Sequence, residues 1–239
     1  MDERVREIIE SSRNIVFFGG AGVSTESGIP DFRSEKGLYN AMQEYGRSPE
    51  TMLSRSFFDR NMETFYDYYR KNLIYPQARP NDAHYALYRL EKEGRLKGIV
   101  TQNIDGLHQK AGSKAVFELH GSVLRNFCMD CGASFSVDYI LDPAHGAIPR
   151  CDCCGGVVKP DVVLYEEMLD DEVTSGAVDV ISKAEVLIVG GTSLVVYPAA
   201  GMINYFKGKS LILINKTPTQ YDSRADLVIY DSLGKVLSD

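Results

Sequence analysis

The apolar residues of this chain fall into short continuous runs that are separated by longer mixed segments. Runs of this kind, bounded by polar residues and glycines, predict strands. Because the runs are continuous rather than alternating, they are typical of a parallel sheet that is covered on both faces. The runs that fit this description are 15–18, 98–101, 162–164, 186–189, 211–214 and 227–229.

Helical periodicity is clearest in residues 81–95. Asn81 can cap the start of this segment, Ala83 and Leu87 share one face, and Gly94 suits its end. Since strands alternate with helical segments, the sequence predicts an α/β fold with a doubly wound parallel sheet.

Two segments interrupt this alternation. Residues 36–78 are rich in Tyr, Phe and Met and predict helices, whereas residues 125–158 contain the cysteines and few regular patterns. We expect both to be insertions that together form a smaller domain. The larger, discontinuous domain would then consist of residues 1–35, 79–124 and 159–239.

Charge and composition limit the possible partners. The chain has 26 Lys and Arg against 33 Asp and Glu, a net charge of −7, and no run of basic residues, so direct nucleic-acid binding is disfavoured. An acidic protein can still attract a basic partner such as a lysine-bearing peptide. No apolar run reaches the length of about 18 residues that a membrane span needs. We expect a cytoplasmic monomer without membrane contact.

All five cysteines lie between positions 128 and 154. In a reducing compartment such clustering favours a metal site over disulfides. The spacing Cys128-x2-Cys131-x19-Cys151-x2-Cys154 matches the two knuckles of a four-thiolate zinc site. Four protein ligands leave no position for water, so the zinc is expected to be structural. A Cys151-x-Cys153 pair is an alternative, although the x2 spacing makes the better knuckle.

A glycine-rich turn, GGAGVST at residues 19–25, follows the first predicted strand directly. Glycines at a strand-to-helix turn let the backbone approach a pyrophosphate, and the helix that follows supplies N–H donors. The pattern is not a complete G-x-G-x-x-G, because Gly20-x-Gly22 is followed by Thr25. A tight turn that binds no ligand therefore remains an alternative interpretation at this point.

Polar side chains follow two other predicted strands. Residues 101–108, TQNIDGLH, come at the carboxyl end of a strand, where doubly wound folds bind ligands. Their amides and carboxylate suit ribose and amide recognition, although a capped turn would look the same. His120 ends another predicted strand, which begins at Val116, and precedes Gly121. Its ordinary pKa of about 6.5 suits a general base, whereas a lone histidine is more often structural.

The remaining histidines have other expected roles. His84 lies in the predicted helix and should pack or hydrogen-bond locally, and His108 should brace the fold. His145 lies in a Pro, Ala and Gly loop and is expected to be solvated.

Taken in order, these motifs resemble those of the sirtuin family, and most closely its bacterial and archaeal single-domain members. Residues 20–33, GAGVSTESGIPDFR, are similar to the family's NAD-binding signature, and TQNIDGLH, Leu-His-Gly at 119–121 and the four-cysteine pattern follow. The resemblance covers about residues 12–231. It implies a Rossmann-like fold, NAD as a consumed co-substrate, one structural zinc ion and acyl-lysine proteins or peptides as substrates.

The resemblance also implies roles for individual residues. His120 would be the catalytic base, and Asn103 would order water and ribose. Cofactor contacts are expected from Gly20, Ala21, Gly22, Thr25, Phe32, Arg33, Gln102, Ile104, Asp105, Thr192, Ser193, Asn215 and Asp231. Two segments would sandwich the substrate peptide as an added strand, and the substrate contacts are expected from Val163, Tyr165, Glu166, Leu194 and Val195. The acyl oxygen would attack the ribose C1′ and expel nicotinamide. His120 would then deprotonate the ribose hydroxyl, which would attack the alkylimidate, leading to free lysine and O-acyl-ADP-ribose.

Two positions depart from the family pattern. Ser34 stands where the family usually has glycine after the NAD-binding signature. In Tyr165-Glu166-Glu167, which replaces the family's Phe-Gly-Glu, Glu166 adds a side chain at the peptide-binding edge. From its charge we expect some preference for basic residues near the target lysine.

The helical insertion, residues 36–78, bears on which acyl group would be removed. Sirtuins that remove acidic acyl groups have a Tyr-x-x-Arg pair there. In this chain Tyr66 has Tyr69 three residues on, and Arg70 is one residue further. Because one residue turns a helical side chain by about 100°, we expect acetyl or another neutral acyl group.

Other functions could use the same features. Mono-ADP-ribosyl transfer to a protein would use the same NAD pocket. An NAD sensor or zinc-binding scaffold would need no base such as His120. A dehydrogenase would have an acidic residue about 20 positions beyond the glycine turn, where Asn40, Ala41 and Met42 stand, although Glu44 is close. The combined motifs favour NAD-dependent deacylation.

Overall fold

The computed structural model describes residues 1–31 and 41–238. The strands in these ranges are β1 (Ile15–Gly19), β2 (Leu96–Thr101), β3 (Val116–Glu118), β4 (Gly121–Cys128), β5 (Ser134–Ser136), β6 (Val158–Val162), β7 (Val186–Gly190), β8 (Ser210–Ile214) and β9 (Leu227–Ile229). A parallel sheet contains six of them in the spatial order β3-β2-β1-β7-β8-β9. The order reverses between β1 and β7, which is where doubly wound folds bind ligands.

Helices pack on both sheets. The α-helices of the described ranges are α1 (Glu3–Glu10), α2 (Pro49–Met52), α3 (Arg55–Arg60), α4 (Met62–Asn72), α5 (Asp82–Lys92), α6 (Leu107–Ala111), α7 (Val137–Leu141), α8 (Asp171–Lys183) and α9 (Leu233–Leu237). Short 3-10 helices lie at Ala21–Val23, Thr25–Ser27, Pro143–His145, Ala199–Tyr205 and Asp222–Arg224. Within the described ranges, no helix combines the length and the apolar character needed to cross a membrane.

Both faces of the parallel sheet are covered, which explains its continuous apolar strands. Ile15 and Phe17 of β1 pack into one core with α1, α5 and α9. Val16 and Phe18, which point the other way, pack into a second core with α8 and the 3-10 helix Ala199–Tyr205. The predicted α/β fold with a doubly wound parallel sheet is confirmed.

The predicted helix at 81–95 is confirmed as α5, and its boundaries follow from local chemistry. Asn81 is the N-cap, and its side-chain oxygen accepts hydrogen bonds from the backbone N–H groups of Ala83 and His84. His84 returns the contact through Nδ1, which accepts from the Asn81 N–H at 3.2 Å. The local role predicted for His84 is therefore confirmed. Gly94 follows the helix with a left-handed φ of 72°, which glycine adopts without strain.

The prediction that residues 162–164 form a strand of the parallel sheet was wrong. The strand here is β6, which begins at Val158, ends at Val162 and pairs antiparallel with β4 in a separate sheet of order β5-β4-β6. Leu164 is buried in the core beneath this second sheet. The apolar run therefore reflects burial in a different core, which a local pattern does not distinguish from burial in a parallel sheet.

The second sheet and the helices α2, α3, α4 and α7 share one apolar core, and we call this assembly the small module. Its largest buried rings are Phe58, Phe65, Tyr66 and Tyr69. The antiparallel sheet extends from Gly121 to Val162. It therefore reaches a few residues beyond the segment 125–158 on both sides.

Candidate active site

A cavity of about 230 Å³ opens at the carboxyl ends of β1, β2 and β7. Ala21, Gln102 and Gly191, which follow these strands within two residues, form one wall. The small module supplies part of the opposite wall through Leu53 and Tyr165. The cavity therefore lies at the reversal of strand order, between the parallel sheet and the small module.

The structure brings six of the expected cofactor residues to this cavity, namely Ala21, Gln102, Ile104, Asp105, Thr192 and Ser193. Asn103, expected in the catalytic machinery, lines it beside them. Asn215 lies behind the wall, where its side chain exchanges two hydrogen bonds with the backbone of Thr192 at 2.9 and 3.0 Å.

Among the other described cofactor residues, Gly20, Gly22, Thr25 and Asp231 do not line the cavity. Asp231 lies away from it, and its carboxylate accepts from the Ser232 N–H and pairs with Lys235. Phe32 and Arg33, like Ser34, are outside the residues that the structure describes.

The glycine-rich turn packs tightly against the loop after β7. The Gly22 N–H donates to the Gly191 carbonyl at 2.8 Å, and a Cβ on Gly22 would lie 2.7 Å from Gly191 Cα. Thr25 Oγ1 donates to the Gly22 carbonyl at 2.9 Å and holds the turn from the other side. The prediction of a regular helix directly after the turn was wrong. Two short 3-10 helices, Ala21–Val23 and Thr25–Ser27, follow instead.

Ser24 links the glycine-rich turn to the polar segment after β2. Its hydroxyl donates to Asp105 Oδ2 at 2.6 Å and accepts from Asn103 Nδ2 at 3.1 Å. Burial raises the pKa of the Asp105 carboxyl, and the hydrogen bonds from Ser24 and from the Leu107 N–H oppose that rise. Sequence patterns gave Ser24 no separate role, although it stands inside the NAD-binding signature.

His120 lines the cavity from the turn between β3 and β4. Its Nδ1 lies 3.0 Å from the Gln102 carbonyl oxygen, which can only accept, so the neutral ring is protonated on Nδ1 and Nε2 is the basic nitrogen. Gly121 leaves the site with φ 73°, and a Cβ there would lie 2.0 Å from the Asp161 carbonyl oxygen. Glycine is therefore required for the chain to turn at the histidine.

Residues expected to contact the substrate divide into two groups. Val163, Tyr165 and Glu166 line the cavity, and the Val163 N–H donates to the His120 carbonyl at 3.0 Å. Leu194 and Val195 do not line it. Leu194 is in the left-handed region with φ 57° and is buried in the core beside α8, whereas Val195 is exposed. The cavity wall in this segment comes from Val196 and Tyr197, which the motif comparison did not single out.

The aromatic and basic side chains of α4 are used within the small module. The Tyr66 hydroxyl donates to the Val158 carbonyl at 2.6 Å, and Tyr69 is fully buried. Arg70 donates to the backbone carbonyls of Ile140, Gly146 and Ala147 and packs over the Tyr66 ring. None of these three side chains of α4 lines the cavity, so they offer it no binding pair for an acidic acyl group.

Four of the cysteines converge at one end of the small module. The sulfurs of Cys128, Cys131, Cys151 and Cys154 lie within 4.8 Å of one another, with Cys128 to Cys154 at 3.4 Å and Cys131 to Cys151 at 3.7 Å. Tetrahedral zinc with bonds of about 2.3 Å would place its sulfurs about 3.8 Å apart. The donor set and its spacing therefore fit a structural zinc ion, and Cys153 lies outside it.

The structure adds roles for other residues. Asn81, predicted only as a helix cap, also donates through Nδ2 to the Val23 carbonyl at 2.7 Å and to Ser27 Oγ at 2.9 Å, which ties α5 to the glycine-rich turn. His108 is buried between Phe17 and His84, in line with its expected bracing role. The expectation of a solvated His145 was wrong, since its ring is partly buried and stacks on Tyr139 at 3.5 Å.

Comparison with known proteins gives the family of this chain. The profile of the Sir2 family matches residues 20–198. An NAD-dependent protein deacetylase of Clostridium perfringens (strain 13 / Type A) is 64% identical over 99% of this chain and 98% of its own length. One of Staphylococcus aureus (strain Mu50 / ATCC 700699) is 46% identical over 98% of this chain and 96% of its own.

Solved structures show the same relationship. A structure described as Sir2-p53 peptide-NAD+ has a TM-score of 0.88 and 35% identity, covering 99% of this chain and 95% of its own. Another, described as Sir2 bound to acetylated peptide, has a TM-score of 0.87 and 34% identity over the same shares. The profile match spans well over half of the chain, and the bacterial relatives cover nearly all of it, so the chain belongs to the Sir2 family, the sirtuins.

Proposed function

We propose that this protein is an NAD-dependent protein-lysine deacetylase. It removes acetyl or another neutral acyl group from lysine side chains and gives nicotinamide, O-acyl-ADP-ribose and free lysine. The observation that carries this proposal is the convergence of His120, Asn103 and Asp105 on one cavity beside the carboxyl end of β6. The relatives named as NAD-dependent protein deacetylases, and the Sir2 structures named for NAD+ and acetylated peptide, support the same activity.

The proposed roles follow from the hydrogen bonds of each side chain. His120 acts as the base, because its Nδ1 proton is held by the Gln102 carbonyl and Nε2 can take a proton from a ribose hydroxyl. Asp105 receives the amide of nicotinamide in its buried site. Asn103, whose amide is held by Ser24, orders the ribose and water.

The substrate peptide adds to the small module as an extended strand. The Val163 N–H already donates to His120, so the Val163 carbonyl is the group that accepts from the acyl-lysine amide. Zinc at the four cysteines supplies a rigid crosslink within the module and takes no part in the chemistry.

We further propose a cytoplasmic monomer that acts on proteins and binds no nucleic acid directly. The net charge of −7 and the lack of a basic run in the sequence support this. The proposed domains are the discontinuous NAD-binding domain, 1–35, 79–124 and 159–239, and the smaller domain of 36–78 and 125–158. Gel filtration coupled to light scattering tests the monomer.

Mass spectrometry of the protein incubated with NAD and an acetyl-lysine peptide tests the activity. The unaltered protein should remove the acetyl group with matching formation of O-acetyl-ADP-ribose, and His120→Ala should do neither while still binding NAD in calorimetry. If acetyl stayed on the peptide and ADP-ribose were added to protein, ADP-ribosyl transfer would replace the proposal. Intact NAD in every reaction would contradict both activities.

A further inference from the structure

The wall of the cavity that would face the peptide includes residues 163–167, which we call the substrate loop. Within this loop Glu166 has a left-handed φ of 77°, a conformation that favours glycine. Most residues avoid it unless the surrounding contacts hold them there. The contacts of Glu166 therefore show what the loop gains from a glutamate at this position.

The Glu166 carboxylate bonds to the first turn of α3 with both oxygens. Oε2 accepts from the Ser56 backbone N–H at 2.8 Å, and Oε1 accepts from the Ser56 hydroxyl at 3.0 Å. The backbones on either side are also paired: the Arg55 N–H donates to the Tyr165 carbonyl at 2.9 Å, and the Tyr165 N–H donates to the Leu53 carbonyl at 3.0 Å. The substrate loop is thus joined to the start of α3 by side chain and backbone together.

Glu167 fastens the other side of the same loop. Its carboxylate accepts from the Leu164 N–H at 2.8 Å, from Arg55 Nη1 at 3.1 Å and from Lys159 Nζ at 3.3 Å. Lys159 is buried on β6, so this contact links the loop to the antiparallel sheet. The two consecutive glutamates hold the loop between α3 and β6.

The loop is also connected to the catalytic centre. Val163 at its start donates to the His120 carbonyl, and Leu53, which pairs with Tyr165, lines the same cavity. A shift of the loop would therefore move the peptide-binding edge relative to His120. The fixed shape of the loop is what a strand-adding peptide needs, because its affinity comes from backbone hydrogen bonds.

We propose that Glu166 is a positioning residue for the peptide, acting as a latch between the substrate loop and Ser56 of α3. The latch lowers the KM for the acyl-lysine peptide by holding the loop ready for strand addition. This inference rests on the proposed deacetylase function and deepens it by assigning a residue that sets peptide affinity.

The latch gives the negative charge of Glu166 a different role from selecting basic peptides. Both carboxylate oxygens of Glu166 are engaged by donors of Ser56, so the charge is directed to α3. Selection by charge would lower the KM only for peptides with basic residues beside the target lysine. The latch would lower it for neutral and basic peptides by the same factor.

Steady-state kinetics of Glu166→Gly and Glu166→Gln separates the two explanations. Glycine keeps the left-handed backbone without strain but removes both hydrogen bonds of the latch. The peptide KM should therefore rise by about fivefold or more, since each hydrogen bond contributes about 1 kcal/mol. The KM for NAD and kcat should stay unchanged. Glutamine can accept from the Ser56 N–H and donate to its hydroxyl without charge, so Glu166→Gln should restore a KM near that of the unaltered protein.

Ser56→Ala supplies a double-mutant test, because it removes the hydroxyl and keeps the backbone donor. Alone it should raise the peptide KM less than Glu166→Gly, and in the Glu166→Gly background it should add nothing. Additive effects would contradict the latch. An unchanged peptide KM in Glu166→Gly would also contradict it. A rise of the KM that is equal in the Gly and Gln variants and occurs only with basic peptides would contradict it as well.

Fluorescence anisotropy with a labelled acetyl-lysine peptide keeps this test independent of turnover. The unaltered protein should bind the peptide, and Glu166→Gly should bind it about fivefold more weakly, or more weakly still, because both hydrogen bonds to Ser56 are lost. If both bound equally, only the latch would fail. If neither bound and the unaltered protein showed no deacetylation, the proposed function would fail.

Discussion

Gly22 and Gly191 meet where the loops after β1 and β7 come together, and each must be glycine for its own reason. Gly22 has no room for a side chain, because its Cβ would lie 2.7 Å from Gly191 Cα. Gly191 has a left-handed φ of 61°, and its Cβ would lie 2.4 Å from the Val23 N. The close approach places Ala21 and Thr192 on the same wall of the cavity.

Gly22→Ala should therefore separate the two loops and weaken NAD binding. The backbone around Gly191 cannot move aside as a flexible side chain could, so we expect the Kd for NAD to rise about tenfold or more, a loss of about 1.4 kcal/mol or greater. Isothermal titration calorimetry measures this directly.

Gly201→Ala is the matched control, since the nearest atom to its Cβ would be in the Tyr197 ring at an ordinary 3.7 Å. It should bind NAD as the unaltered protein does. Equal affinities of the two variants would show that the contact between the loops does not matter for NAD.

The metal site is built from two tight turns that each present a pair of cysteines. The turn after β4 closes with the Cys128 N–H donating to Ala133 and the Gly132 N–H donating to Cys128. The second turn closes with the Cys151 N–H donating to the Gly156 carbonyl. Such turns place the thiols, and we expect a bound metal to add to the stability of this end of the small module.

Replacement of single cysteines tests which thiols bind zinc. Cys131→Ala should lose the zinc, because three thiolates remain, whereas the unaltered protein should contain one ion per chain. Cys153→Ala should keep it, since Cys153 is exposed like Cys131 but lies outside the cluster. Inductively coupled plasma mass spectrometry gives the zinc content. Equal losses in the two variants would mean that Cys153 is a ligand.

We expect the stability of the folded chain to depend on pH through two histidines in its core. His84 on α5 and His108 on α6 are buried with ring centroids 4.7 Å apart. Burial lowers the pKa of His84 to about 4. Burial, and next the proximity of His84, lowers the pKa of His108 to about 3. Within the described part of the chain, neither ring nitrogen of His108 has a hydrogen-bond partner.

Both pKa values are depressed in the folded state. The free energy of unfolding should therefore be highest above the ordinary histidine pKa of about 6.5, where the rings are neutral in the folded and in the unfolded chain. As the pH falls below that value, these two histidines bind protons in the unfolded chain but stay neutral in the folded chain. Each histidine should then lower the free energy of unfolding by about 2 kcal/mol between pH 7 and pH 5. The loss should level off below the folded pKa values.

Urea denaturation at pH 7, 6 and 5 measures this dependence. His108→Phe removes one titrating ring and keeps an aromatic packing partner for Phe17, so its loss of stability over this range should be about 2 kcal/mol smaller. Carboxylates contribute equally to both proteins and cancel in the comparison. If the free energy of unfolding changed equally with pH in both proteins, His108 would not be the cause of the dependence.

Much of this protein follows from local patterns in its chain. The strands of the parallel sheet could be predicted because burial on both faces leaves an uninterrupted apolar run, as in β1, β7 and β8. The start of α5 could be predicted because Asn81 caps within three residues of itself. The metal site could be predicted because each knuckle is a short local unit whose spacing is set by the turn.

The packed structure decided the contacts between distant residues. Whether residues 162–164 joined the parallel sheet depended on β4, which pairs with β6 in antiparallel register. Glu166 was expected to face the peptide, but its carboxylate bonds to Ser56, 110 positions away. Leu194 turned into the core because its backbone is left-handed, which leaves the cavity wall to Val196 and Tyr197. These outcomes depend on which surfaces meet when the elements pack, and no periodicity along the chain encodes that.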